Sequence, residues 1–361
     1  MSTRILYGDA LTSLPTLDAG SVQCCVTSPP YWGLRSYLPA DHPLKHLEIG
    51  AEKTPGEYIE KLVAIFQEVR RVLRDDGVLW LNLGDSYADD TKWGGASGGK
   101  HAAGLHGASG IGRGRRETGL KAKDLVLIPY RVALALQADG WYLRASIPWV
   151  KANVMPASVT DRPTVAHESI FLLTKSARYF YDADAVRAPS AFAERSLDTP
   201  GTRATQAHAA VNGHRDSSGG VGYNPAGRNR RTSDWWRESL EIARAEIDNA
   251  LASGGMLSDG KGDPLGLMVN TKPYAEAHFA VFPPKLVEPC IKAGSRAGDT
   301  VLDPFGGSGT VAQVCSDLGR HAVLCELNEA NAPLVGKRTA QLGLAWLFAE
   351  AQASGGREVR S

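Results

Sequence analysis

The chain has 361 residues, 43% of them hydrophobic, and a formal net charge of +1. That size and apolar content predict one large domain with an insertion, or two domains, and exclude a chain that is disordered throughout. The near-zero charge excludes a uniformly basic surface, so any affinity for nucleic acid has to come from local patches.

The first elements alternate strand and helix. Ile5-Leu6-Tyr7 reads as a short strand closing on Gly8-Asp9. Val22 to Thr27 reads as a second strand, stopped by Pro29-Pro30. Tyr58 to Leu73 carries apolar residues at a helical period and is stopped by Asp75-Asp76-Gly77. Val78 to Leu83 is a third strand ending at Gly84-Asp85. Strands that alternate with helices and end in Gly/Asp turns predict a mostly parallel α/β sheet.

Residues 89–123 break the pattern. They are rich in Gly, Ala and Ser, with seven Lys or Arg against three acids, and read as a mobile basic loop. Within it, Gly94 to Lys100 fits GxxxxGK, but His101 stands where a Ser or Thr would hold Mg²⁺. No strand leads in and no helix leads out, so a solvated glycine loop is the better reading.

Helical periodicity returns from Asp124 to Ala138, and Trp141 to Val150 and Ser169 to Thr174 read as strands. Between 183 and 270 the composition turns to Arg, Ser, Gly, Asn and Asp, which marks an inserted module. Trp235-Trp236 fits the core of that module better than a stacking pair. Past Ala277, Pro284 to Ala293 reads as a helix and Thr300 to Leu302 as a strand. A helix to Leu318, a strand from His321 to Cys325 and a helix from Asn328 to Leu342 follow.

Five cysteines are present, at 24, 25, 290, 315 and 325. None has zinc-site spacing, and four lie in apolar runs, which predicts reduced, buried thiols and no metal. His167-Glu168 lacks a second His at helical spacing, so both read as framework residues. No apolar run reaches the ~18 residues of a membrane span, and no targeting segment follows Met1, so a cytoplasmic protein without membrane contact is expected.

Two stretches carry chemistry. In "TVLDPFGGSGT", 300–310, a strand, a Gly-rich turn and a helix form the ligand-binding start of a doubly wound fold. Glu326 closes the next strand, where an acid suits the hydroxyls of a ribose. Asp303-Pro304-Phe305 occupies a turn that a pyrophosphate would need free. A carboxylate facing the ligand suits a cationic amino group, which favours S-adenosyl-L-methionine over a dinucleotide.

In "VTSPPYW", 26–32, a Pro-Pro turn follows a strand on what should be the same sheet edge. An exocyclic amine of a base is a weak nucleophile, its lone pair delocalised into the ring. It needs acceptors on both N–H bonds. A serine oxygen and a proline-fixed carbonyl supply them. Tyr31 or Trp32 suits stacking on a base turned out of the helix.

Together these stretches resemble the amino-methylating DNA methyltransferases of the N4-cytosine and N6-adenine type. "TSPPYW" resembles the catalytic motif and "DPFGGSGT" the cofactor motif. "GDALTSLPTLDAGSV" (8–22), "GVLWLNLGDSY" (77–87), "RPTVAHESIFLLTKSARYFYD" (162–182) and "HFAVFPPKLVEPCIKAG" (278–294) resemble flanking framework segments. The catalytic motif precedes the cofactor motif, as in the permuted β arrangement.

The resemblance implies a doubly wound, mostly parallel, Rossmann-like sheet of seven strands, its last-but-one strand antiparallel. It implies catalytic Ser28, Pro29, Pro30 and Tyr31. It implies cofactor contacts from Asp9, Phe282, Lys285, Asp303, Pro304, Phe305, Gly307, Ser308, Gly309, Thr310 and Glu326. DNA contacts are expected from Trp32, from Arg113, Arg115 and Arg116 in the loop, and from Arg203, Arg215, Arg228, Arg230 and Arg231 in the insert.

The expected division is a catalytic half at 1–182, a target-recognition module at 183–270, a cofactor half at 271–350 and a polar tail at 351–361. The expected partners are double-stranded DNA and a cognate restriction endonuclease, for a monomer or homodimer of bacterial or phage origin. Ser28, where adenine enzymes of this arrangement mostly carry Asp, favours N4 of cytosine. N6 of adenine and an inactive DNA-binding relative stay open as alternatives.

Overall fold

The computed structural model describes residues 1–33, 36–39, 41–88, 117–150, 161–163, 165–186, 283–336 and 338–339. Seven strands form one sheet: β1 (Thr3–Tyr7), β2 (Val22–Thr27), β3 (Leu73–Leu83), β4 (Tyr142–Val150), β5 (His167–Thr174), β6 (Thr300–Asp303) and β7 (His321–Glu326). Their order across the sheet is β1-β7-β6-β2-β3-β5-β4. From β1 to β3 every pairing is parallel. β5 runs antiparallel to both β3 and β4, so the antiparallel strand is the one next to the edge.

Alternation of side chains splits the sheet's two faces into two cores. Cys25, Leu79, Leu81 and Leu83 pack in one layer, whereas Cys24, Val26, Val78 and Trp80 pack in the other. That is why Val22 to Thr27 is buried along its whole length and reads as a continuous run. The first face is covered by α1 (Ala10–Ser13), α2 (Pro55–Val72) and α3 (Ile128–Ala138), the second by α4 (Pro284–Gly294) and α5 (Thr310–Leu318).

The boundaries follow local chemistry. Helix α2 starts three residues before the apolar period does, at a capping box. Thr54 Oγ1 accepts from Glu57 N–H at 3.1 Å and the Glu57 carboxylate accepts from Thr54 N–H at 3.2 Å. Such a cap contributes about 1 kcal/mol. β3 begins at Leu73, earlier than the Asp-Asp-Gly turn suggests, because Leu73 pairs with Val22, and the register shifts before Val78 pairs with Cys24. Helix α3 begins at Ile128, four residues later than its apolar period, where Asp85 Oδ1 accepts the Ile128 N–H at 2.9 Å. All five cysteines are free and buried, as their apolar settings predict.

The insert does not begin at 183. Asp182 N–H donates to the Ala293 carbonyl at 2.9 Å, and Val186 is buried against the second core, so residues through 186 belong to the framework. The basic loop is likewise shorter than its composition. Glu117 N–H donates to the Lys53 carbonyl and Lys123 N–H to the Ala88 carbonyl, which ties 117–123 to the core. Residues 89–116, the expected 183–270 module from 187 on, and the tail lie outside the described residues.

The chain crosses from one half of the sheet to the other between β2 and β6. β2 leads through α2 to β3 on one side, and β6 leads through α5 to β7 on the other. In an open α/β sheet the crevice for a ligand opens at the carboxyl ends of the strands at such a point.

Candidate active site

A cleft of about 790 Å³, counted out to its open mouth, lies at that switch point. Four of the five parallel strands deliver residues at or just past their carboxyl ends to the rim: Gly8 and Asp9 after β1, Ser28 and Pro30 after β2, Pro304, Phe305 and Gly307 after β6, and Glu326 to end β7. Tyr37, Leu38, Leu47, Glu48 and Ile49 form a roof, and Leu327, Asn328 and Asn331 close the far side.

Glu326 organises the β7 wall. Its Oε2 accepts Gly307 N–H at 2.7 Å, and its Oε1 accepts Asn328 N–H at 2.8 Å and the Asn331 amide at 3.1 Å. A carboxylate offers about four acceptor sites, so three donors leave room for a ligand hydroxyl. Burial pushes its pKa up, against the pull of the same hydrogen bonds.

Asp303 requires a correction. The sequence places its carboxylate against a cationic ligand group, but it is buried and absent from the cleft wall. Its Oδ1 accepts the Thr27 hydroxyl at 2.6 Å and the Phe305 N–H at 3.0 Å, so it braces the turn from beneath and ties β6 to β2. Burial raises its pKa to about 7, opposed by those two hydrogen bonds.

Ser308, Gly309 and Thr310 also lie off the wall. Gly309 sits at φ +80° before α5, with Val335 so close that a Cβ would meet it at 2.9 Å. Thr310 Oγ1 accepts from Arg338 at 2.8 Å. These residues start the helix. Lys285 is exposed on α4 and does not line the cleft either. Phe282 lies outside the described residues.

Beside the cleft, Ser28 and Tyr31 join a polar cluster with Asn82 of β3 and Glu168 of β5. Tyr31 donates to Glu168 Oε2 at 2.5 Å, and Ser28 Oγ donates to the Tyr31 oxygen at 3.3 Å. The Asn82 amide lies 2.6 Å from the Tyr31 oxygen, 3.0 Å from Glu168 Oε2 and 3.3 Å from Ser28 Oγ. Burial first, and then the Glu168 charge, hold the Tyr31 phenol above its usual range, so it stays protonated. The Tyr31 ring lies over Gly84, where a Cβ would approach to 2.5 Å. Tyr58 donates to the Pro30 carbonyl at 2.9 Å and pins the far side of the Pro-Pro turn.

Trp32 is a second correction. It is 2% exposed, packs in the first core and donates Nε1–H to the Glu52 carbonyl at 3.0 Å, so it anchors the turn and does not face DNA. The sequence reading missed the roof, Tyr58, Asn82 and Gly84, and took Glu168 for framework. One signal was available: a polar Asn82 inside the apolar run Val78 to Leu83 is the kind of buried polar group that asks for a partner. The arginines at 113, 115, 116, 203, 215, 228, 230 and 231 all lie outside the described residues.

A DNA methylase family model, that of the N6/N4 methyltransferases, matches residues 22–336. The chain belongs to the N6/N4 DNA methyltransferase family. It is 42% identical over 336 residues to the Type II methyltransferase M.XycI of Xanthomonas campestris pv. cyanopsidis, covering 93% of this chain and 87% of that one. It is also 42% identical to the Type II methyltransferase M.Cfr9I of Citrobacter freundii over 90% of this chain and 83% of that one. Among solved structures, a PvuII DNA methyltransferase described as cytosine-N4-specific aligns with a TM-score of 0.52 at 16% identity. It covers 94% of this chain and 86% of that one. At that identity it supports the fold alone. In this DNA methyltransferase β2, which runs into Ser28-Pro29-Pro30-Tyr31, precedes β6, which runs into the Gly-rich turn.

Proposed function

We propose that the protein transfers a methyl group from S-adenosyl-L-methionine to N4 of cytosine in double-stranded DNA, on a base turned out of the helix. The observation that carries this reading is that Ser28 and Pro30 line the same cleft as Phe305, Gly307 and Glu326. Catalytic motif and cofactor motif thus face one space.

The cleft fits the methyl donor. Glu326 keeps an acceptor site for a ribose hydroxyl, Asp9 stands beside it after the neighbouring strand β1, and Phe305, Leu327, Leu47 and Ile49 offer apolar surface to a flat base. The donor supplies an electrophilic methyl group. The chain's own part is to bring the amine to it with its lone pair free. Ser28 Oγ and the Pro29 carbonyl accept the two N–H bonds. The Pro30 carbonyl is already engaged by Tyr58. Drawing both N–H bonds toward acceptors turns the nitrogen from planar toward tetrahedral and localises its lone pair. Tyr31, held by its hydroxyl, offers its ring to the flipped base.

Ser28 supports cytosine over adenine because it is a neutral acceptor where adenine enzymes of this arrangement mostly carry Asp. The module read at 183–270, from 187 on, is assigned target recognition, and its arginines phosphate or guanine contacts. The Type II names of the relatives support a place beside a cognate restriction endonuclease. Among the described residues no helix is long and apolar enough to cross a membrane, in keeping with a cytoplasmic site of action. Nucleoside analysis of DNA methylated by the purified protein tests the reading, with N4-methylcytosine expected. N6-methyladenine as the sole product would replace cytosine with adenine.

A further inference from the structure

Glu168 is a half-buried carboxylate that the mechanism above does not use. It reaches the site because β5 runs against its neighbours, so its first residues arrive at the edge where the parallel strands end. There it meets Tyr31 and Asn82. Its chemistry sets the direction of every hydrogen bond in the cluster. An ionised carboxylate only accepts, so the Tyr31 hydroxyl must donate to it. The Tyr31 oxygen is then left as an acceptor for Ser28, and the Ser28 oxygen in turn is left as an acceptor facing the cleft. Asn82 is oriented in the same way: its amide nitrogen faces Glu168 and so also supports the Tyr31 and Ser28 oxygens.

Resting on the amine-methylation reading, we propose that Glu168 is the terminal proton acceptor of a relay that runs from the target amine through Ser28 and Tyr31. As the N–C bond forms and the C–S bond breaks, its electron pair staying on sulfur, the nitrogen carries one proton too many. That proton passes to Ser28 Oγ, the Ser28 proton passes to the Tyr31 oxygen, and the Tyr31 proton passes to Glu168 Oε2. Atoms balance with no further reactant, and the half-buried Glu168 returns the proton to solvent. The Tyr31–Glu168 bond is already short at 2.5 Å, whereas Ser28 and Tyr31 are 3.3 Å apart. Catalytic hydrogen bonds of that length tighten once substrate is bound. The raised pKa of Tyr31 suits a shuttle that passes a proton without keeping a charge. Asn82 donates to the Tyr31 and Ser28 oxygens and holds them in line for the transfer.

The test uses the full chain, labelled methyl donor and duplex DNA in single-turnover reactions, with Tyr31→Phe, Glu168→Gln and the double variant. Tyr31→Phe keeps the ring over Gly84 and removes only the relay oxygen, while Glu168→Gln keeps the shape and removes the base. The relay predicts that each single variant slows transfer by roughly 100-fold, the lower end of what a positioned general base contributes. It predicts that the double variant is no slower than the slower single one, because both changes cut one path. Affinity for the donor and for DNA, measured by titration without turnover, stays within twofold or so of wild type. The wild-type rate falls in heavy water, and this dependence shrinks in both variants, which a merely structural role would not produce. Variants as fast as wild type, multiplied losses in the double, or an unchanged heavy-water effect would overturn the relay and leave the amine-methylation reading standing. A wild-type protein that labels no DNA would instead remove that reading, and the relay with it.

Discussion

The cofactor wall and the catalytic cluster face the same cleft but are built in opposite ways. The wall comes from two neighbouring short stretches, the turn at 304–307 and the end of β7, where Glu326 accepts the turn's own Gly307 N–H. The cluster draws Ser28 and Tyr31 from the turn after β2, Asn82 from β3 and Glu168 from β5, the last two separated by 86 residues. The wall therefore binds mainly through turn geometry and one carboxylate. The cluster depends on side chains that only the sheet order brings together, and it is the part a single substitution can cut.

The largest effect should separate the two regions. Ser28→Ala removes one of the two amine acceptors and leaves the wall untouched. The transfer rate should fall by roughly 100- to 1,000-fold, the cost of losing one preorganised hydrogen-bond partner at a reacting centre. Donor affinity, read by equilibrium titration, should not change. An unchanged rate would take Ser28 out of the cluster's chemistry.

Gly84→Val comes next. Its Cβ would sit 2.5 Å from the Tyr31 ring, so the ring must move. Overpacking of this kind costs about 1–3 kcal/mol, visible in a denaturant midpoint, and displacement of Tyr31 should slow transfer as well. If the variant loses stability but keeps its rate, ring placement over Gly84 does not matter to the chemistry.

Asp303→Asn probes the wall through pH. Burial holds the Asp303 carboxyl at about 7 in the fold, against 3.8 for the free group. Below both values the carboxyl is protonated in folded and unfolded chains alike and costs nothing. Between them the folded chain binds a proton that the unfolded chain releases, so wild-type stability falls as pH rises. Above the folded value the whole cost is present. Asparagine keeps the acceptor for Thr27 and does not titrate. Relative to wild type, the variant should gain stability between pH 4 and 7, on the order of 1–3 kcal/mol, and then level off. A flat difference across that range would show that the buried carboxyl does not titrate there.

Glu326→Gln should be the mildest and the most selective. It replaces an oxygen by an amide that repels part of the N–H set from Gly307, Asn328 and Asn331. Donor affinity should weaken by about tenfold, equal to ~1.4 kcal/mol, with the rate at saturation kept. A loss of saturated rate instead would merge wall and cluster into one functional unit.

The same contrast explains what the sequence made legible. Strand β2, the Pro-Pro stop and the Gly-rich turn were readable because each is local: period, proline geometry and close approach need only neighbours. Asp303 was readable as important but not as buried, since the motif does not say that Thr27, 276 residues away, turns its carboxyl inward. Trp32 was misread because an aromatic after a turn looks the same whether it faces a base or donates to the Glu52 carbonyl. Glu168 was invisible as a site residue because its role depends on β5 running antiparallel, a property of sheet order that periodicity alone cannot supply.

The most direct test of the account is the identity of the methylated nucleoside. Purified protein, labelled S-adenosyl-L-methionine and unmethylated duplex DNA are incubated, and the DNA is digested to nucleosides and separated. Label is expected in N4-methylcytosine, at a rate roughly 100- to 1,000-fold lower in Ser28→Ala. Label confined to N6-methyladenine would contradict the choice of base, and no label in DNA would contradict the proposed activity itself.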